Sequence, residues 1–229
     1  MLFRSLTVVT APALSLLALQ VADYGALANP MLRQSIAMAA DRGALSNVIF
    51  QKQGEVTASL LPSNMTGYSF LFPSDRNLAK AQELLGGLTP VPLMLATESD
   101  GAMRLAAQRI ALNLREAGFN VQMANGGQRA ELLLRRIPLE CSEPQAAMEE
   151  ILRTTGVAAT EIDATPDALY KAEREALDKK TLIPLLYLPR SFAVSGRVRD
   201  LRMGADGSPD LADASLMDSA GSAQTGSAP

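Results

Sequence analysis

The 229-residue chain is 48% hydrophobic and 20% charged, with a net charge of −3, which is the composition of a globular, core-forming chain. It has no histidine and one cysteine, Cys141. That removes the commonest general base, the Ser-His and Cys-His nucleophile pairs, an intrachain disulfide and a thiolate metal cluster. There is no basic run, aromatic residues make up 4%, and neither a Gly-x-Gly-x-x-Gly nor a phosphate loop occurs. We therefore expect no enzyme, cofactor, metal or nucleic-acid partner.

The first 28 residues allow two readings. Arg4, the apolar run over 6–19 and the ending Ala26-Leu27-Ala28 have the layout of a cleavable export signal. Alternatively, residues 6–10 and 14–21 are two buried strand pieces broken at Ala11-Pro12. Leu2-Phe3-Arg4-Ser5 matches what a common sequencing adapter would encode, so an artificial start to the chain is expected; the upstream DNA tests it.

Asn29-Pro30 starts a helix, with Asn as cap, Pro at the first turn, and Leu32, Ile36, Ala39 and Ala40 inward. Asp41 caps a second short helix through Leu45, Val48 and Ile49. Residues 51–64 read as a loop, and 67–73 as a short aromatic stretch between breakers. Ser74 or Asp75 caps a helix carrying Leu78, Ala81 and Leu85. Gly86-Gly87 and Gly126-Gly127 read as turns.

The clearest pattern lies in the middle. Residues 92–96 form a short apolar strand. Met103, Ala106, Ala107, Ile110, Leu114 and Ala117 make one helical stripe, ended by Gly118, with Arg104, Gln108, Arg109, Arg115 and Glu116 on other faces. Residues 120–123 then alternate as a half-buried strand. Short connections make this a βαβ unit with parallel strands.

Residues 131–137 read as a strand, 144–155 as a helix ended by Gly156, and 157–164 as a linker. Thr165-Pro166 starts a helix with Leu169, Ala172, Ala176 and Leu177 on one face. Lys171, Glu173, Arg174 and Glu175 are expected on its solvated face. Residues 182–188 are apolar, Pro184 excludes a fully paired central strand at that point, and 192–195 extend the segment. The tail at 217–229 is expected to be disordered.

Three segments, in order, resemble the extracytoplasmic solute-binding proteins of family 5, which serve peptide and nickel ABC importers. Asn29-Pro30-Met31-Leu32-Arg33-Gln34-Ser35-Ile36 through Asp41-Arg42 is similar to the family's helix signature, which has Asp and Val at the positions of Asn29 and Leu32. Asp75-Arg76-Asn77-Leu78-Ala79-Lys80-Ala81 through Leu85 resembles the helix that precedes the family's βαβ unit. Ala168-Leu169-Tyr170-Lys171-Ala172-Glu173, then Ile183-Pro184-Leu185, then Ser195-Gly196-Arg197-Val198 resemble its closing helix, strand and turn. Asp210-Leu211-Ala212-Asp213-Ala214-Ser215-Leu216 resembles a family ending that has Trp at the position of Ser215.

The resemblance implies an α/β fold: a type II periplasmic-binding-protein-like C-terminal lobe with a parallel βαβ core, over 14–216, after an uncertain segment at 1–13. It implies a solute-binding component working by two-lobe closure, with peptide or a similar small solute, the permease subunits and a missing N-terminal lobe as partners, in a periplasmic or extracytoplasmic setting. Residues 14–23 and 182–195 would cross between lobes. The candidate ligand residues are Tyr68, Phe70, Phe72, Tyr187 and Arg190; core burial of the three loop aromatics and a solvated Arg190 are the alternatives. Arg33, Asp41 and Arg42 are expected in helix caps and structural ion pairs. A second functional reading is a secreted stand-alone α/β interaction module with a signal at 1–28.

Overall fold

The computed structural model describes residues 6–87, 92–98, 101–125, 128–157, 162–204 and 208–217. The Gly126-Gly127 turn, residues 1–5, part of the 157–164 linker and residues 218–229 of the expected tail lie outside the described residues. Met217, counted with that tail, donates its N–H to Arg197 O at 2.8 Å. The chain groups into two compact units. One is Leu14–Leu188; the other joins Met1–Ala13 to Pro189–Pro229. The sequence reading runs one lobe over 14–216, whereas residues 189–216 group here with the N-terminal segment.

The larger unit is built on a six-stranded mixed sheet in the order β2-β6-β1-β5-β3-β4. Its strands are β1 (Leu6–Val21, of which 14–21 belong to this unit), β2 (Glu55–Val56), β3 (Pro92–Thr97), β4 (Asn120–Met123), β5 (Leu132–Pro138) and β6 (Leu182–Ser195, of which 182–188 belong to this unit). β3 pairs in parallel with β4, from Pro92 opposite Asn120 to Leu95 opposite Met123, as the βαβ reading requires. It also pairs in parallel with β5. β1 runs antiparallel to β5, from Ser15 opposite Pro138 to Val21 opposite Leu132. The expected interruption at Ala11-Pro12 is absent: β1 is one strand of 16 residues. Its outer part is not buried either, since Leu6 and Val8 are exposed.

Both faces of β1 are covered. Leu17, Leu19 and Val21 enter one core; Leu16 and Ala18 enter the other. This explains why residues 14–21 read as a continuous apolar run rather than an alternating one. A leader cleaved after Ala28 would remove this central strand.

The first core lies under α1 (Pro30–Ala39), α4 (Leu78–Leu85) and α5 (Gly101–Ala117). The second lies under α6 (Pro144–Thr155) and α7 (Pro166–Asp178). Asn29 caps α1 by accepting from Met31 N at 2.9 Å, and Thr165 caps α7. α2 (Arg42–Ala44) begins with Asp41 accepting from Ala44 N at 2.8 Å and continues as a π turn at Leu45–Ile49. α4 is capped by Asn77, not by Ser74 or Asp75, because Asn77 Oδ1 accepts from Lys80 N at 2.9 Å. The 51–64 loop contains two elements: β2, which pairs with β6 at Tyr187 and Leu186, and the start of α3 (Ser63–Thr66). Pro184 lies beyond that register, so its missing N–H costs no ladder bond to β2.

Gly118 ends α5 with φ +109, a backbone conformation that favours glycine; a Cβ there would stand 2.8 Å from Leu85 Cδ2, the movable end of a side chain. In the smaller unit, β7 (Val198–Arg199) pairs with β10 (Ser215–Leu216), and β8 (Arg202–Met203) with β9 (Pro209–Asp210).

Candidate functional site

Four of the five predicted ligand residues lie in the larger unit. Tyr68 and Phe72 flank a single 3-10 turn, Ser69–Leu71, whose outward position leaves Phe70 77% exposed. Tyr68 and Phe72 are half-buried and meet Tyr170 of α7. The ring centroids are 5.3 Å apart for Tyr68–Tyr170, 5.6 Å for Phe72–Tyr170 and 6.4 Å for Tyr68–Phe72. Tilted and edge-on pairs of this kind suit the ring quadrupoles. Both loop rings pack against the second core. Tyr187, on β6, is 2% exposed; its hydroxyl donates to Ser59 O at 2.9 Å. Arg190 belongs to the smaller unit and is half-buried. The structure thus brings Tyr68 and Phe72 together, places Phe70 on the surface above them, and sets Tyr187 in the core.

Beneath this aromatic group lies Glu173, which corrects the sequence expectation. The sequence pattern places Glu173 on the solvated face of α7, whereas it is 0% exposed. Its Oε1 accepts from Leu60 N and stands 2.6 Å from Ser59 Oγ. Its Oε2 and the Tyr68 hydroxyl are both buried without a hydrogen-bond partner of proper geometry, although the two groups influence each other's titration. Desolvation drives the Glu173 carboxyl above the usual carboxylate range, against the opposing hydrogen bonds from Ser59 and Leu60. Burial, then the charge of Glu173, pushes the Tyr68 phenol up. Burial does the same at Tyr187. The signal was present in the sequence. Glu173 stands four residues after Leu169 and four before Leu177, on the buried stripe.

The signature arginines also depart from expectation. Arg33 and Arg42 make no ion pair among the described residues; they bond backbone carbonyls. Arg33 Nε donates to Lys179 O at 2.8 Å and Nη1 to Leu27 O at 2.6 Å. Arg42 Nε donates to Pro184 O at 2.9 Å and Thr57 O at 3.0 Å, and Nη1 to Ser74 O at 3.3 Å. Arg42 thereby joins α2, the 57–74 segment and β6. Asp41 pairs with Arg76 at 3.5 Å.

Among the described residues, cavities open on the larger unit. One, of about 470 Å³, lies at the end of β1 and is lined by residues including Gln20, Asp23, Glu131 and Lys179. Another, of about 360 Å³, is lined by residues including Arg42, Phe72, Arg76 and Lys180. Phe72 is the only predicted site residue on either wall.

A family model described as bacterial extracellular solute-binding proteins, family 5, matches residues 5–137. No curated protein matches the chain. Among solved structures it is similar to a dipeptide-binding protein from Pseudoalteromonas sp. SM9913 in complex with Met-Leu: 17% identity, TM-score 0.72, 93% of this chain and 50% of that one. It is similar to NikA from Brucella suis in complex with Fe(III)-EDTA: 14% identity, TM-score 0.72, 93% and 53%. It is also similar to the periplasmic binding protein DppA from Helicobacter pylori in complex with the peptide STSA: 17% identity, TM-score 0.69, 86% and 46%. The chain spans about half the length of these solved relatives. At such identities the likeness is one of fold, the type II periplasmic-binding kind. The family match extends over more than half of the chain, so the chain belongs to the bacterial extracellular solute-binding proteins of family 5.

Proposed function

We propose that this chain forms one lobe of the extracytoplasmic solute-binding component of an ABC importer for peptides or similar solutes. In the whole protein a second lobe closes over the solute, and the closed form is presented to the permease subunits. The observation that carries this reading is the family match over residues 5–137, joined to coverage of about half of each solved relative. Two of the similar structures are named as complexes with Met-Leu and with STSA, which makes peptide the first solute class to test.

On this reading Phe70 offers its exposed ring to a ligand side chain, with Tyr68 and Phe72 as its support and Tyr187 fixed in the core behind them. Arg190, in the smaller unit, is a separate candidate for binding a ligand carboxylate. The test is an NMR titration of the chain with millimolar peptide and, separately, with Fe(III)-EDTA. Peptide is expected to shift the amides of residues 67–73 and of Arg190, and the chelate to leave them in place. Shifts from the chelate alone would reassign the solute class, and no shift with either would remove these residues from the site.

A further inference from the structure

The cavity of about 360 Å³ carries an unbalanced charge. Its wall holds three cationic side chains, Arg42, Arg76 and Lys180, and one acid, Asp75. Arg76 is already neutralised, because it pairs with Asp41 and Glu116. Arg42 is 5% exposed, and among the described residues it donates to neutral carbonyls. Lys180 is half-buried and makes no ion pair among the described residues. The one acid acting on it, Asp178, is exposed, pairs with Arg174 at 3.8 Å and is not on the cavity wall. Asp75 offsets one of these charges in the formal count of the wall, so Arg42 and Lys180 leave one net positive charge in a partly desolvated space.

Like charges in such a place repel more strongly than in water, and a buried cation without a counter-ion is costly. The same influences act on Lys180. Burial lowers its pKa, Asp178 opposes this, and the Arg42 charge lowers it further, so the ammonium feels the guanidinium. Arg42 itself is drawn down to about 10 by burial, still charged at neutral pH. An anion in the cavity would relieve both groups. The rest of the wall suits a small organic molecule: Met38, Phe72 and Ile183 are apolar, and Gln34 and Asn77 supply neutral polar groups.

We propose that this cavity is an anion-binding site, in which Arg42 and Lys180 take the carboxylate or phosphate group of a small organic acid. Guanidinium and ammonium both donate charge-assisted hydrogen bonds to such oxyanions.

Thermal melting of the chain in sodium phosphate, and in sodium acetate, each against sodium chloride of equal ionic strength, tests the site. Wild type is expected to melt higher in at least one oxyanion than in chloride, because a ligand that binds only the folded state stabilises it. Acetate acting alone assigns a carboxylate ligand; phosphate acting alone assigns a phosphate ester. Lys180→Met is expected to weaken the response at least tenfold in anion concentration, and Lys180→Arg to retain it. Lys171→Met, at an exposed site, is the control for loss of a lysine charge. If Lys180→Met does not fold, Lys180→Gln carries the same prediction. An equal response in wild type and in the folded Lys180 variant, or no response above chloride in wild type, would overturn the proposal.

Discussion

Glu173 has no salt bridge among the described residues, and its carboxyl lies in an apolar core between the aromatic loop and α7. Its pKa in the fold is raised, so the stability it contributes is fully present below the ordinary glutamate range and is lost as pH rises through the raised value. We expect the stability of wild type relative to Glu173→Gln to fall as pH rises over that window. Denaturant unfolding of both proteins across weakly acid to neutral pH checks this; a constant difference would mean that Glu173 ionises as it does in water. Tyr187→Phe removes one donor from Ser59 O, but that carbonyl stands 3.2 Å from Thr57 Oγ1 and keeps it. The cost should therefore be about 1 kcal/mol, at the low end for a buried hydrogen bond. Unfolding midpoints measure it, and a loss of several kcal/mol would show that Thr57 does not compensate. At this scale the sequence was legible wherever one residue acts on its neighbours. Asn29 declares a helix start by its own chemistry, and Gly118 declares a helix end. The carbonyl partners of Arg42 are 15, 32 and 142 positions away, and no local pattern carries them.

Caps and covered faces decide the elements. Asn29→Ala leaves Met31 N without its acceptor and should cost about 1 kcal/mol, read as a lowered unfolding midpoint. Leu17, at 0% exposure in the middle of β1, should cost about 2–5 kcal/mol on change to Ala. A cost below about 1 kcal/mol would contradict the placement of β1 inside the sheet. The helices and the βαβ unit were readable because their signals are periodic and their ends chemically marked. β2 was not, since two residues have no period and its pairing with β6 spans more than a hundred positions. The break expected at Pro12 failed for a related reason: proline disfavours a paired strand interior, yet the register of β1 with β5 begins only at Ser15, so Pro12 lies outside that ladder. The α4 cap is Asn77 rather than Ser74 or Asp75 because all three residue types cap well, and composition alone does not choose between positions two or three apart.

For the whole molecule the proposed function turns on divided contacts. The chain covers about half of relatives whose names place a ligand in them. If two lobes share the contacts evenly, a solute held at ~1 µM, about −8 kcal/mol, would gain only about −4 kcal/mol from one lobe, or ~1 mM. The fold was legible at this scale because the order and spacing of three segments persist where individual residues vary. The ligand residues were less legible, since a pocket wall and a core wall draw on the same aromatics, and Tyr68, Phe72 and Tyr187 all touch the second core. Calorimetric titration of the 229-residue chain with a mixed peptide pool at micromolar concentration tests the divided site most directly. The account predicts no measurable saturable binding at that concentration, whereas tight one-to-one binding by this chain alone would contradict it.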